Sequence, residues 1–117
     1  MVERVWSGCA KTPGDAAAYA AYFQRVVVPE LKAVPGYRGA RLSQRETANG
    51  VDIVVNTTWE SLDAIRGFAG DDIERAVVHG EAAALLAGYD REVRHFEISS
   101  EDHSGGTAGT GRTGTTR

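Results

Sequence analysis

The strongest constraint on the fold is a pair of extended stretches, "YRGARLSQRE" and "VDIVVNTTWE", joined by the turn sequence "TANG". Asn49-Gly50 supplies the positive φ that a tight turn between antiparallel strands requires. Alternate residues of the second stretch face opposite sides. One side carries Val51, Ile53, Val55, Thr57 and Trp59 and is more apolar than the side with Asp52, Val54, Asn56, Thr58 and Glu60. The sequence therefore predicts a hairpin with one face buried against helices.

The flanking segments predict a strand and two helices. "VERVWSGCA" is β-branched and aromatic at its start, which favours a strand. In the next segment Thr12 is placed to cap a helix that starts at Pro13 and extends to "AVPG", with a kink expected at Pro29 because proline has no N–H to donate. Ser61 is placed to cap "LDAIRGFA", and Gly70 is expected to end that helix.

The remainder of the domain completes an α+β order. "DDIERAVVHGEAAALLAGYD" predicts helix in two pieces around His79-Gly80, and "REVRHFEIS" predicts a closing strand. The order strand, helix, strand, strand, helices, strand indicates a ferredoxin-like antiparallel sheet of about four strands with its helices on one face. The other sheet face has no covering element in this chain. We therefore expect a homodimer in which two sheets close into a dimeric α/β barrel.

Composition divides the chain into one domain and a tail. Residues 1–98 have the apolar patterning of a single core, whereas residues 99–117, "SSEDHSGGTAGTGRTGTTR", are rich in Gly and Thr and have no apolar period. Such a segment cannot offset the entropy lost on ordering, so a disordered tail is expected. No chemical role is assigned to His103.

Several classes of function are excluded by the same composition. A formal charge of -3 with scattered Lys and Arg gives no basic stripe, so nucleic acid is not expected as a partner. No run approaches a membrane span or a signal core, so the expected compartment is the cytoplasm. The chain has one cysteine, Cys9, and no closely spaced set of His and carboxylate residues, so no metal site is expected. The sequence contains no Gly-rich loop of the kind that binds the phosphates of a cofactor, so no cofactor is expected.

Trp59 has two interpretations, as a wedge that seals the core or as the wall of a cavity between sheet and helices. In the second, its flat ring and indole N–H would meet an aromatic ligand. Phe23 and Phe68 are expected to line the same space. His79, beside Gly80 in a helix break, is either a base directed inward or a solvent-exposed residue. His95, on the closing strand, is expected to have a structural role.

The motifs "TTWESLDAIRGFAG", "VVVPELKAVPGYRGARL" and "LLAGYDREVRHFEI" give the chain a family resemblance. From Val2 to Ile98 it resembles the antibiotic biosynthesis monooxygenase family of small dimeric α/β-barrel proteins. The resemblance implies a ferredoxin-like subunit, a dimer, and a pocket near the tryptophan at the strand-to-helix junction. The fold is shared by cofactor-free oxygenases, haem-degrading enzymes, isomerases, cyclases and proteins without known activity.

For the oxygenases, the resemblance implies a chemistry without cofactor. A phenol or anthrone is deprotonated and its carbanion reacts with dioxygen, while the protein supplies an apolar cavity and hydrogen bonds to the oxyanion. These enzymes resemble one another in an Asn four residues before the Trp, where this chain has Val55; Asn56 takes part only if a bulge turns it inward. The haem-degrading branch resembles the chain less, because its Asn on the first strand and its His one helix after the Trp lack counterparts here.

Three functional hypotheses follow from these residues. The first is a cofactor-independent monooxygenase acting on a small aromatic or quinone-like molecule with dioxygen, in which Trp59 stacks on the substrate or binds its oxyanion, His79 is the base, and Asn56 assists. The second is a non-catalytic ligand-binding barrel with Trp59 in the core. The third is a cyclase or isomerase that uses the same pocket without oxygen.

Overall fold

The computed structural model describes residues 1–103 and contains one antiparallel sheet. Its strands are β1 (Val2–Ala10), β2 (Tyr37–Thr47), β3 (Gly50–Trp59), β4 (Gly88–Tyr89) and β5 (Arg94–Glu97). The order across the sheet is β2-β3-β1-β4, and β5 also pairs with β1. Because β3 pairs with β1 along its whole length, β4 and β5 share the other edge of β1. The predicted ferredoxin-like α+β sheet is confirmed, with its fourth position split into two short strands.

The helices are α1 (Pro13–Tyr22), α2 (Val28–Lys32), α3 (Leu62–Ala69) and α4 (Gly80–Leu85), and a π-helical turn, Phe23–Val27, joins α1 to α2. The predicted caps form: the Asp15 N–H donates to Thr12 Oγ1 at 3.0 Å, and the Ala64 N–H donates to Ser61 Oγ at 3.1 Å.

The irregularity expected at Pro29 takes the form of the π-helical turn that precedes it. Pro29 cannot donate to the Arg25 carbonyl, so the α-helical ladder is interrupted there. The Val28 N–H instead donates to the carbonyl of Phe23, five residues earlier. This wider turn keeps the helix continuous while satisfying its backbone groups.

The core lies between the inner face of the sheet and the helices. The predicted alternation of β3 is confirmed, because its five inward residues are all buried and Ile53 and Trp59 have no exposed surface. Ile65 of α3 and Leu31 of α2 are also fully buried against this face. Leu62, the first residue of α3, is 45% exposed.

The segment from residue 71 to residue 79 corrects the helix predicted there. It has turns and an isolated antiparallel bridge between Arg75 and Glu92, and α4 begins only at Gly80. The Ala76 N–H donates to the Arg91 carbonyl at 2.8 Å, and the Val93 N–H donates to the Glu74 carbonyl at 2.7 Å. Tertiary partners thus take the backbone groups that a helix would have paired internally, overriding local propensity.

The opposite face of the sheet is open. Val54 is 36% exposed and Phe96 is 47% exposed on this face, next to polar side chains such as Asn56 and Arg41. Residues 104–117, which contain most of the tail expected from the sequence, lie outside the described residues. Within the described part, no helix has both the length and the hydropathy needed to cross a membrane.

Candidate functional site

A cavity of about 60 Å³ lies between the inner sheet face and the helices. Its walls are mostly apolar, as in sites that bind small molecules, with few polar groups. The aliphatic part of the wall includes Val77 and Val78 of the irregular segment. The aromatic residues that line it are Trp6, Tyr19, Tyr22, Phe23 and Phe68, and its other polar residues are Arg4 and Thr57.

Thr57 gives the cavity a buried hydroxyl whose proton is available. The indole Nε1–H of Trp59 donates to Thr57 Oγ1 at 2.8 Å. Because an indole N–H can only donate, the threonine oxygen is the acceptor in this bond and its own proton remains free for another acceptor. Trp59 therefore orients a hydrogen-bond donor that lies in the cavity wall.

Arg4 is the only charged residue in the wall within the described part of the chain, and it is 5% exposed. Its Nη1 donates to the Ile73 carbonyl at 2.5 Å, and its Nη2 donates to the Arg75 carbonyl at 2.9 Å. Nη1 also lies 3.2 Å from His95 Nε2, which must be the acceptor because a guanidinium cannot accept. The guanidinium carbon lies 5.9 Å from the centre of the Phe68 ring. All of these partners are neutral or lone-pair acceptors, so the positive charge has no counter-ion among them.

Burial sets the protonation of the polar groups in the wall. It lowers the pKa of Arg4 to about 10, which leaves the guanidinium charged at neutral pH. Burial, with a smaller contribution from Tyr22, raises the pKa of Tyr19 to about 12. Burial, followed by the negative charges of Glu30 and Glu81 and opposed by Arg25, raises the pKa of Tyr22, whose buried hydroxyl has no hydrogen-bond partner among residues 1–103. The cavity therefore offers protonated donors and one cation.

His95 makes stability depend on pH. Burial first, and then the charge of Arg4, lower its pKa below the usual value, while Glu74 opposes this. The folded protein thus binds a proton on His95 less readily than the unfolded chain, so stability is present above the unfolded pKa of about 6.5 and is lost as pH falls below it. We expect His95→Gln to flatten the fall in unfolding free energy between about pH 7.5 and about pH 5.5. Equal slopes for the two proteins in denaturant titrations would contradict this.

Of the site residues predicted from the sequence, the structure places some in the cavity wall and others away from it. Phe23 and Phe68 lie in the cavity wall. Trp59 does not line the cavity: it is fully buried behind it, with its ring 5.4 Å from Tyr37 and 6.1 Å from Phe68 between centroids. The interpretation of Trp59 as a core residue therefore replaces that of a cavity wall.

Asn56 and His79 also lie away from the cavity. The register of β3 with β1 is continuous, without the bulge that would turn Asn56 inward, and its Nδ2 donates to Glu3 Oε2 at 2.5 Å on the open face. His79 is exposed at the start of α4, with its Nε2 3.3 Å from Glu30 Oε1. The bulge on which a role for Asn56 depended is absent, and of the two alternatives for His79 the structure has the solvent-exposed one.

The sequence interpretation missed Arg4, Thr57 and Tyr22. A signal for the first was present, because β1 alternates Val2, Arg4 and Trp6 on its inward face, and a charged residue between two apolar ones is unusual there. Thr57 was placed on the correct face of β3 but was not recognised as a donor. Tyr22 gave no signal, because its unpartnered hydroxyl depends on the packing of several segments.

Comparison with known proteins identifies the family. The family model described as antibiotic biosynthesis monooxygenase matches residues 11–79, more than half of the 117-residue chain. The chain belongs to the antibiotic biosynthesis monooxygenase family. The match contains α1, the β2–β3 hairpin and α3, which are the elements that enclose much of the cavity. No curated protein sequence matches the chain.

Solved structures share the fold of this family member at low sequence identity. The haem degrader MhuD of Mycobacterium tuberculosis, solved with two haems in its active site, is 19% identical with a TM-score of 0.58, and the match covers 88% of this chain and 100% of MhuD. A monooxygenase from the ActVA-Orf6 gene of Streptomyces coelicolor, solved with nanaomycin D, is 18% identical with a TM-score of 0.54, covering 87% and 88%. The cofactor-independent oxygenase SnoaB of Streptomyces nogalater is 16% identical with a TM-score of 0.53, covering 86% and 93%.

Proposed function

We propose that this family member binds a small aromatic molecule in the cavity and oxidises it with dioxygen to a quinone, without a cofactor. The observation that carries the proposal is an apolar cavity whose few polar groups, the Arg4 guanidinium and the hydroxyls of Thr57 and two tyrosines, can all donate a hydrogen bond. Donors fixed in a site that excludes water stabilise the negative charge that develops on a substrate oxygen when a phenol or anthrone loses a proton. The fold shared with the Streptomyces coelicolor monooxygenase and with the cofactor-independent oxygenase SnoaB supports the proposal.

The side chains divide the work between binding and charge stabilisation. The aromatic rings of Phe23 and Phe68 hold a planar substrate by offset or edge contacts. The Thr57 hydroxyl, fixed by Trp59, donates to the substrate oxygen. The substrate carbanion then forms a C–O bond with dioxygen, and the proton removed first returns to give a hydroperoxide. Cleavage of the O–O bond with loss of the hydrogen on the same carbon releases water and leaves a quinone carbonyl, so the substrate itself supplies the four electrons.

The size of the cavity limits how the substrate reaches it. A volume of about 60 Å³ is smaller than the roughly 150 Å³ of an engineered cavity that binds benzene, so even one ring requires the wall to move. Val77 and Val78 belong to the irregular segment and are the part of the wall without helix or strand pairing. The exposed contacts Arg25–Glu81 and His79–Glu30 hold α4 to the helices opposite and are each worth little. We propose that a substrate enters by displacing this side.

The residues present do not fit a histidine-ligated haem. His79 is exposed, and the Nε2 of His95 lies against Arg4. Neither imidazole is therefore directed at a haem iron in the cavity, and the wall at α3 is formed by Phe68 instead. Within the described residues, no group of three or more His, Cys, Asp or Glu side chains could hold a metal ion.

A second candidate function is ligand binding without catalysis. The observation that favours it is that, among residues 1–103, those lining the cavity include no carboxylate or imidazole to act as a base. Oxygen consumption separates the two functions, and product formed without oxygen consumption would instead indicate a cyclase or isomerase.

Thr57→Val tests the proposed chemistry. We expect wild-type protein to consume dioxygen with anthrone or 1-naphthol in an oxygen electrode, and Thr57→Val to lower the rate by at least about tenfold because a donor to the developing oxyanion is lost. Thr57→Ser keeps the hydroxyl and should retain most of the rate. Thr58→Val makes the same change one residue away on the open face and is the matched control. Equal rates for Thr57→Val and Thr58→Val would contradict the role of Thr57.

We also propose that the protein is a homodimer whose interface includes the open sheet face, closing the two sheets into a barrel. Exposed Val54 and Phe96 on this face support an apolar contact. We expect light scattering after gel filtration at micromolar concentration to give a dimer mass, and Val54→Glu to shift it to a monomer. Leu62→Glu, at an equally exposed apolar side chain on α3, should leave the dimer intact. A monomer mass for the wild type would refute the proposal.

A further inference from the structure

The Arg4 side chain lines the cavity, and its buried positive charge hydrogen-bonds no carboxylate among residues 1–103. Arginine has five N–H donors, and three of them have partners among residues 1–103. These partners are the carbonyls of Ile73 and Arg75 and the Nε2 of His95, and none of them carries a negative charge. Removing a cation from water without pairing it is costly, so a charge in this position is a strong indication of an anionic partner that is not part of the chain.

Other groups around Arg4 do not supply that negative charge. Phe68 presents a ring face 5.9 Å from the guanidinium carbon, which is a weak attraction. Glu74 acts on His95 and is itself exposed, so solvent screens its charge. The adjoining walls contributed by β3, α1 and α3 are apolar or hydroxyl-bearing.

A second, independent polar group is left incomplete in the same cavity. The Tyr22 hydroxyl is buried without a hydrogen-bond partner, in a residue that is 2% exposed. An unpaired buried hydroxyl costs free energy, and the raised pKa of Tyr22 means that this hydroxyl can donate but does not carry a charge. A hydrogen-bond acceptor on a ligand would satisfy this hydroxyl, whereas a hydrocarbon would not.

We propose that Arg4 selects aromatic acids: the ligand binds with an ionised oxygen, on a carboxylate or a phenol, against the Arg4 guanidinium, and its ring lies among the aromatic residues of the cavity. This assignment rests on the cavity being the ligand site of the proposed function, and it adds the ligand's charge. For a phenol, the same contact favours the phenolate, which is the electron-rich form that reacts with dioxygen. Arg4 also holds the irregular segment through two carbonyls, so the position of this segment is coupled to the charge.

Three para-substituted nitroaromatic probes of similar shape test the assignment. These are 4-nitrobenzoate, 4-nitrophenol and 4-nitrotoluene, which quench tryptophan fluorescence and can be titrated under nitrogen, independently of turnover. We expect at least one anion to bind at least about tenfold more tightly than 4-nitrotoluene, because a hydrogen bond to a charged group adds this much. Comparing the affinities of 4-nitrobenzoate and 4-nitrophenol identifies which acid is preferred. A titration of bound 4-nitrophenol, followed by its visible absorbance, should show that binding lowers its pKa.

Charge-matched variants separate Arg4 from the net charge of the protein. Arg4→Met should remove the preference for the anions while 4-nitrotoluene still binds, and Arg66→Met, which removes an exposed cation from α3, should keep it. Arg4→Lys retains the charge and should keep part of the preference even if the irregular segment loosens. Wild-type protein that binds 4-nitrotoluene as tightly as both anions, or that binds none of the three probes, would overturn the assignment. Loss of oxygen consumption alone would count against the proposed function and leave the anion preference standing.

Discussion

Trp59→Ala should lower the free energy of unfolding by about 3–5 kcal/mol, because it empties the largest fully buried side-chain volume in the described core. The ring packs between Tyr37 and Phe68, and its N–H is bonded to Thr57, so the substitution removes packing and a buried hydrogen bond together. For a small domain this loss is a large part of the total stability. Urea unfolding followed by circular dichroism measures it.

Trp6→Ala is the internal comparison for this prediction. Trp6 is also buried, but its ring lines the cavity, and its Nε1–H donates to the Asp90 carbonyl at 3.0 Å. A ring that already borders empty space leaves less new cavity when it is removed, so we expect a smaller loss of stability than for Trp59→Ala and a larger loss of ligand binding. If the two substitutions cost the same, or if Trp59→Ala costs less than about 1 kcal/mol, Trp59 does not have the core role assigned to it.

The two tryptophans show where sequence patterning stops. The alternation of β3 placed Trp59 on the buried face, and that prediction is confirmed. Whether a buried ring borders a cavity or fills the core depends on residues from α3 and from the start of β2, which alternation along one strand does not describe. The alternation of apolar residues predicts which face of a strand is buried, but the packing of other elements determines whether a buried side chain borders a cavity.

Local signals predicted most of the elements. The caps at Thr12 and Ser61 and the irregularity around Pro29 each depend on a few neighbouring residues, and each was found. The helix predicted over residues 71–79 was not found, because its backbone groups pair with residues 91–93 and with Arg4, which is about seventy residues earlier in the chain. No local preference encodes partners at that distance.

The same distance explains why the candidate site was only partly predicted. Phe23 and Phe68 were predicted to line a cavity between sheet and helices, and both lie in the cavity wall. Arg4 lies on the first strand, and the carbonyls that it binds belong to the irregular segment about seventy residues later. Its place in the cavity wall could therefore not be predicted from the residues next to it in sequence. His79 was named for its position beside a glycine, yet that position is at a helix start on the surface.

Gly50→Ala should be as damaging as the loss of a core side chain, with an expected cost of about 2–6 kcal/mol. Gly50 has a φ of +143°, which side-chain-bearing residues rarely adopt, and a methyl group there would overlap the carbonyl oxygen of Ala10. Backbone strain contributes about 1–3 kcal/mol and the overlap a similar amount. The turn motif predicts the positive φ from sequence alone. The close approach of Gly50 to β1 is known only from the register of the strands in the sheet.

Two other glycines separate these contributions in the same protein. Gly70 has a φ of +83° but open space where a methyl group would be, so Gly70→Ala should show the backbone strain alone. Gly39 has neither feature, and Gly39→Ala should change stability by less than about 0.5 kcal/mol. The expected order of unfolding free energies is therefore Gly39→Ala, then Gly70→Ala, then Gly50→Ala as the least stable. If Gly50→Ala and Gly70→Ala cost the same, the approach of Ala10 adds nothing, and the hairpin is held to β1 less closely than its register implies.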